Sequence, residues 1–148
     1  MLFNTFGNRE NPVIIMLAGS FSPAESLEMV YSVMKEDYYV IAPTYNGHYK
    51  DSKDFTTRQG EAKEIADYLQ NQNITSVRMI YGQSMGSEIG IELMRQLSEN
   101  NIILTKDEQD TPKIWHQISG AHFARHTLGI ENEDVLNSVR YHTTGRAG

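Results

Sequence analysis

The apolar positions of this chain follow two spacings that alternate along its first two thirds. Val13, Ile14, Ile15, Met16, Leu17 and Ala18 form an unbroken β-branched and apolar run that stops at Gly19. A run without polar interruption suits a strand covered on both faces of a parallel sheet. Ser22, Pro23, Ala24 and Glu25 then read as a capping box with proline at the first helical position, followed by Leu27, Val30, Tyr31 and Met34 at helical spacing. Residues 38–42 supply a second strand, and residues 43–48 a loop carrying the Asn46-Gly47 turn signal. A second helix is expected from Thr56, boxed by Gln59, with Ala62, Ile65, Ala66 and Leu69 on one face. Residues 77–80 make a third strand and residues 87–97 a third helical pattern. Strands alternating with helices imply right-handed crossovers, so residues 13–98 are expected to form three parallel strands with flanking helices and ligand sites at the carboxyl ends of the strands.

Past residue 99 the alternation stops. Residues 101–104 suit one short edge strand, residues 105–111 are polar and charged, and two helices are expected beyond them. The first covers residues 112–127, with Ile114, Ile118 and Ala121 apolar and Gly129 followed by Ile130 as a C-terminal cap. The second opens at Asn132 or Glu133 and aligns Val135, Val139 and His142 on one face. The chain is therefore divided into residues 1–98 and residues 99–148. A three-stranded sheet leaves both edges bare, which predicts self-association or a loosely packed tail.

The chemistry is concentrated in Gly82-Gln83-Ser84-Met85-Gly86, at the junction of the third strand with the third helix. A G-x-S-x-G run in that context is a nucleophile elbow, which presents the Ser84 hydroxyl from a strained turn and needs Gly82 and Gly86 where strand and helix cross closely. The same turn aims the Met85 backbone N–H at the place where an acyl oxyanion would develop. Gly90 continues a four-residue glycine series and gives the helix a thin edge, at a propensity cost of about 1 kcal/mol per glycine.

Residues 12–98 resemble the first half of an α/β-hydrolase. The matching stretches are Leu17-Ala18-Gly19-Ser20-Phe21, the loop Asn46-Gly47-His48, and the elbow itself. The resemblance implies an α/β fold with a partial hydrolase-like parallel sheet, followed by the short helical segment. It also implies Ser84 as nucleophile and an oxyanion hole made by the backbone N–H of Met85 and that of Ser20 or Phe21. His48 matches a loop histidine that is usually structural in the family and is read as a turn residue. Glu88, four residues after Ser84, is read as a solvated carboxylate. The triad histidine and acid of the family follow later strands that are not expected within these 148 residues, which leaves His116 or His122 as the nearest substitutes for a base, His116 first.

The tail resembles a different family. Trp115-His116-Gln117-Ile118-Ser119-Gly120-Ala121 and the run from Val135 through His142 to Arg146 look like the middle of the HD-domain phosphohydrolases that cleave symmetrical dinucleoside tetraphosphates. That resemblance implies His116 and His142 as ligands of iron or another divalent metal. The His-Asp dipeptide of the family occurs nowhere in the sequence, and two neutral imidazoles without a carboxylate make a weak site for a hard ion, so no metal or other cofactor is expected. His122 and His126 are spaced for a surface metal clamp and read as a solvated helix face. The two resemblances together picture the front of one enzyme joined near residues 99–104 to the middle of another.

Composition narrows the partners. The 148 residues contain no Cys, which removes thiol catalysis, disulfides and Cys-based metal sites and suits a reducing cytoplasm. A net charge of -6 provides no electrostatic footprint for nucleic acid or an anionic membrane. The apolar run at residues 13–18 is too short to cross a bilayer, and no leader precedes it. The expectation is a soluble, cytoplasmic protein acting on a small-molecule ester or acyl substrate, with little or no turnover because the triad is incomplete. The alternatives are a fragment of a metal-dependent phosphohydrolase and a folded remnant without chemistry.

Overall fold

The computed structural model describes residues 1–105 together with residues 114 and 115. Its strands are β1 (Leu2–Phe6), β2 (Val13–Leu17), β3 (Tyr39–Thr44), β4 (Ser76–Val77), β5 (Met79–Gly82), β6 (Ile103–Leu104) and β7 (Ile114–Trp115). The α-helices are α1 (Glu28–Met34), α2 (Arg58–Asn71) and α3 (Met85–Glu99), and α1 is entered through a 3-10 turn at Ala24–Leu27. The main sheet runs β1-β3-β2-β5-β7, and β4 and β6 form a small parallel ladder beside it. β2 pairs in parallel with β3 on one side and β5 on the other, whereas β1 runs antiparallel to β3.

The unbroken apolar run of β2 is explained by its two covered faces. Val13, Ile15 and Leu17 pack with Ala62, Ile65 and Leu69 of α2 and Ile89, Leu93 and Leu97 of α3. Ile14 and Met16 point the other way, into a second cluster with Leu27, Val30, Tyr31 and Met34. Successive strand residues face opposite sides, so one five-residue strand feeds two cores and all five of its residues are buried. The expected parallel α/β sheet over residues 13–98 is thus present, with its carboxyl edge formed by the ends of β2, β3 and β5.

Several elements differ from the sequence expectation. The capping box at Ser22 does not form, and Pro23 is the extended residue ahead of a 3-10 turn with no side-chain cap. The Ser22 hydroxyl donates to Ser20 O at 3.3 Å, and the Ala24 N–H is taken instead by Thr44 Oγ1 at 3.0 Å. A distant hydroxyl replaces the local cap. α2 is capped one residue later than expected, by Thr57, whose hydroxyl accepts from the Gly60 N–H at 2.9 Å. The third strand is split at Arg78, whose N–H donates to Val13 O at 2.7 Å, so that β4 can leave the main sheet and pair with β6.

β1 and β7 were not expected at all. β1 covers the outer side of β3, and β7 lies parallel to β5 in a stretch whose spacing predicts a helix from Pro112. The short apolar segment Ile114–Trp115 satisfies either spacing, and the unpaired side of β5 decides for the strand. The two edges that a three-stranded sheet would leave bare are therefore both flanked. The helix expected from residue 132 lies outside the described residues. No helix among the described residues is long and apolar enough to cross a membrane.

Candidate active site

Ser84 stands between the end of β5 and the start of α3, with φ 52° and ψ −122°. Such a conformation costs a residue with a side chain of order 1–3 kcal/mol and persists only where the surroundings enforce it. They do so here through short bonds. The Gln83 N–H donates to Leu17 O at 3.0 Å, the Gly86 N–H to Gln83 O at 2.8 Å, and the Ser87 N–H to Ser84 O at 2.9 Å. The Ser87 hydroxyl reaches Gly82 O at 3.1 Å, and Gln83 Nε2 donates to the Tyr81 hydroxyl at 3.0 Å. Ser84 is the N-cap residue of α3, yet its side chain makes no capping bond. Its hydroxyl is not spent on the helix as an N-cap serine usually is.

The two elbow glycines leave no room for a methyl group. A Cβ on Gly82 would lie 2.7 Å from Gly86 O and from Ser87 Cα, and one on Gly86 would run into the carbonyl oxygens of Leu17 and Ala18. Gly90 is different, because its nearest neighbours are the side-chain tips Ile80 Cγ2 at 3.2 Å and Leu17 Cδ1 at 3.5 Å. Only the first two glycines set the crossing of strand and helix.

Facing the elbow at the same sheet edge are the loop after β2 and the loop after β3. Phe21 has φ 58°, and the residue is 94% exposed. Its N–H donates to His48 Nε2 at 3.0 Å, so in this arrangement the loop donor expected to serve an oxyanion is held by an imidazole. His48 Nδ1 lies 2.9 Å from Asn46 O. A carbonyl can only accept, so the hydrogen-bond network assigns the proton to Nδ1 and leaves Nε2 as the acceptor. His48 also packs among the rings of Phe21, Tyr45 and Phe55. Both of its ring nitrogens are thus engaged by neighbouring loop backbone.

The loop that carries His48 is anchored below by a buried carboxylate. Glu61, on the apolar face of α2, is 2% exposed and accepts from the Asn46 N–H at 3.1 Å and from Asn46 Nδ2 at 2.9 Å. The Tyr45 hydroxyl donates to Ala18 O at 2.8 Å and ties the same loop to the end of β2. Burial pushes this hydroxyl well above the ordinary tyrosine range, with the charge of Glu61 acting in the same direction. Sequence reasoning passed over Tyr45, Asn46 and Glu61 as site-building residues. The available signal was a charged residue at position 61 inside the stripe that continues through Ala62, Ile65, Ala66 and Leu69.

Glu88 is not merely solvated. It pairs with Arg58 Nε at 2.7 Å and links the first turns of α3 and α2. Met85 is the first residue of α3 and follows Ser84 directly, as expected. His116, the nearest substitute for a base, lies outside the described residues, as do His122, His126 and His142.

No family model matches the chain. Among curated proteins it is 43% identical over 37 residues to the symmetrical bis(5'-nucleosyl)-tetraphosphatase of Bacillus subtilis, which covers 25% of this chain and 20% of that protein. The counterpart from Halalkalibacterium halodurans is 38% identical over 60 residues, 40% of this chain and 29% of its own length. The 1H-3-hydroxy-4-oxoquinoline 2,4-dioxygenase of Pseudomonas putida is 24% identical across 95% of this chain and 60% of its own length. The chain thus spans between a fifth and three fifths of the curated relatives it matches.

Solved structures agree on the architecture. A protein of Desulfitobacterium hafniense described as an alpha/beta hydrolase family member superposes with a TM-score of 0.65 at 17% identity, over 71% of this chain and 42% of that one. Carboxylesterase CesB from Bacillus subtilis gives 0.57 at 14% identity, over 68% and 35%. The described residues have the fold of the α/β-hydrolases, present in part.

Proposed function

We propose that this chain is the nucleophile-bearing part of an α/β-hydrolase acting on an ester or acyl substrate, with Ser84 as nucleophile. The observation that carries the reading is the strained backbone of Ser84 at a strand-to-helix turn closed by two glycines that admit no Cβ. Strain of this kind is stored where a side chain has to be presented, and the N-terminus of α3 supplies the Met85 N–H beside it. Ser84 Oγ would attack the acyl carbon, and its proton would pass by way of water to the departing alkoxide. The tetrahedral oxyanion would be met by the Met85 N–H and by that of Phe21, with the alcohol leaving as the carbonyl re-forms.

A serine hydroxyl needs an oriented base to react quickly. His48 is the one histidine among the described residues, and both its ring nitrogens are engaged with Asn46 and Phe21. His116, His122, His126 and His142 belong to the stretch that resembles another enzyme and are not expected to act as its base, so turnover should rest on the oxyanion donors and binding alone, a residual of about 10³ to 10⁴ over water. A fluorophosphonate probe should label the protein slowly, at Ser84, with labelling abolished in Ser84→Ala. Absence of any Ser84 adduct would remove the nucleophile. Brisk p-nitrophenyl acetate hydrolysis, lost both in Ser84→Ala and in one histidine variant, would instead reveal a complete triad. The relative spanning most of the chain is a dioxygenase; unlabelled Ser84 would leave a chemistry of that kind open and close the acyl-transfer one.

A second reading, a fragment of a dinucleoside tetraphosphate phosphohydrolase, is favoured by the short matches at 43% and 38% identity. Its metal would need carboxylate partners beside His116 and His142, and a donor set of two imidazoles does not fit a hard divalent ion. Elemental analysis of protein purified without chelators should find less than about a tenth of an iron or manganese per chain. Near-stoichiometric metal lost in His142→Ala would overturn this and promote the phosphohydrolase.

A further inference from the structure

The loop expected to supply the second oxyanion donor is not a free loop. Phe21 has a positive φ of 58°, which a bulky aromatic residue adopts only under constraint. Burial cannot provide that constraint, since the residue is 94% exposed. The constraint is instead at the N–H, which points at His48 Nε2 at 3.0 Å. The imidazole is itself oriented, by Nδ1 toward Asn46 O at 2.9 Å and by the rings of Tyr45 and Phe55. A second tie, from the Tyr45 hydroxyl to Ala18 O, holds the other end of the same short loop at 2.8 Å. Both ties come from the loop after β3, and that loop is fastened to buried Glu61 through Asn46.

We infer that His48 is a positioning residue for the proposed acyl-transfer site: its neutral, Nδ1-protonated imidazole holds the Phe21 N–H in place as an acceptor until an oxyanion takes that hydrogen over. The inference rests on the hydrolase reading for its purpose, though not for its geometry. An N–H carries one hydrogen, so the imidazole and a substrate oxygen compete for it. A neutral carbonyl oxygen gains little from displacing the imidazole. A developing oxyanion forms a charge-assisted bond of roughly twice the strength and wins the competition. The exchange therefore favours the transition state over the ground state, which is the condition for raising kcat without tightening substrate binding. Without His48 the left-handed Phe21 loses its only described backbone partner outside its own loop and relaxes out of aim.

The tie can be read in the wild-type chain without any reaction. An N–H···N bond transmits a scalar coupling between the Phe21 amide ¹⁵N and His48 ¹⁵Nε2, and the ring ¹⁵N shifts should report a protonated Nδ1 and a bare Nε2. In parallel, His48→Ala should slow fluorophosphonate labelling of Ser84 by about 10-fold to 100-fold, a part of the loss seen when a whole oxyanion donor is removed. The same variant should lower kcat for p-nitrophenyl acetate by a similar factor and change KM by less than about 3-fold. His48→Gln, whose Oε1 can accept from the Phe21 N–H, should recover most of the rate. No coupling, or a protonated Nε2, overturns the inference, as does unchanged labelling in His48→Ala. If His48→Ala fails to fold, the wild-type coupling together with the His48→Gln rate decides. A wild-type chain that shows the coupling and is never labelled at Ser84 overturns the hydrolase reading and the oxyanion role with it, and leaves His48 as a fold tie only.

Discussion

Gly86→Ala is expected to destabilise the fold by about 4 kcal/mol or more, a large share of the stability of a domain this size. Its Cβ would be driven into the carbonyl oxygens of Leu17 and Ala18, which belong to backbone rather than to side chains that can rotate aside. Relief requires α3 to move away from the end of β2. That movement would break the Gln83 N–H bond to Leu17 O and release the strained Ser84 turn. It would also open the cluster that joins Ile89 and Leu93 of α3 to Leu17 and Ile80. Overpacking usually costs 1–3 kcal/mol, and an immovable backbone neighbour puts this substitution at about 4 kcal/mol or more, against a total stability of roughly 5–15 kcal/mol for a domain. Gly90→Ala is the internal control. Its neighbours are side-chain tips, and alanine regains about 1 kcal/mol of helix propensity, so the change should be close to neutral. Urea denaturation followed by circular dichroism separates the two. A Gly86→Ala protein within 1 kcal/mol of wild type would mean that the strand and helix do not cross as closely as described.

Asn46→Ala should destabilise the fold by about 2–4 kcal/mol, although it removes only one small polar side chain. Glu61 is 2% exposed, and one of its oxygens accepts from Asn46 Nδ2 at 2.9 Å. Deleting that donor leaves a buried carboxylate short of a bond, and the desolvation of a charged group is then uncompensated. The backbone N–H of residue 46 still reaches the other oxygen, which keeps the loss below that of a fully orphaned charge. Asn46→Ala combined with Glu61→Gln should recover part of the deficit, because a neutral amide removes the uncompensated charge while its Oε1 can still accept from the backbone N–H of residue 46. If the double variant is no more stable than Asn46→Ala alone, the carboxylate is not the source of the cost. The backbone carbonyl of residue 46 is retained in both variants, so the bond to His48 Nδ1 is unaffected in principle, and the stability effect can be separated from any change at Phe21.

How far these features could be read beforehand depends on how locally each is encoded. The elbow was legible because its demands fall on adjacent residues: a strand run, two glycines spaced four apart, and a helix beginning directly after. The parallel α/β arrangement was legible for the same reason, since Val13, Ile14, Ile15, Met16 and Leu17 can all be apolar only if both faces of the strand are covered, as they are. The amphipathic stripe of α2 marked its buried face, and Leu69 and Ile65 lie there.

What tertiary structure alone decided were matters settled by partners distant in the chain. The start of the first helix lost its predicted cap because Thr44 delivers a hydroxyl to the Ala24 N–H from twenty residues away. β1 has a half-polar sequence that carries no clear period, and it becomes a strand through pairing with β3, out to Leu2 opposite Thr44. Ile114–Trp115 is too short to choose its own state and takes that of β5 beside it. Glu61 is a surface residue by type, and it is buried because the Asn46 N–H and side-chain amide meet it on the inner face of α2. The tie between His48 and Phe21 spans 27 residues and depends on two loops brought to one sheet edge. The sequence by itself determined the sheet, the helices that cover it and the turn that presents Ser84, since periodicity and glycine spacing act between near neighbours. The caps, the edge strands and the hydrogen bond that occupies the Phe21 N–H were decided only when the β2, β3 and β5 ends came together, because each needs a donor or acceptor that the local chain does not contain.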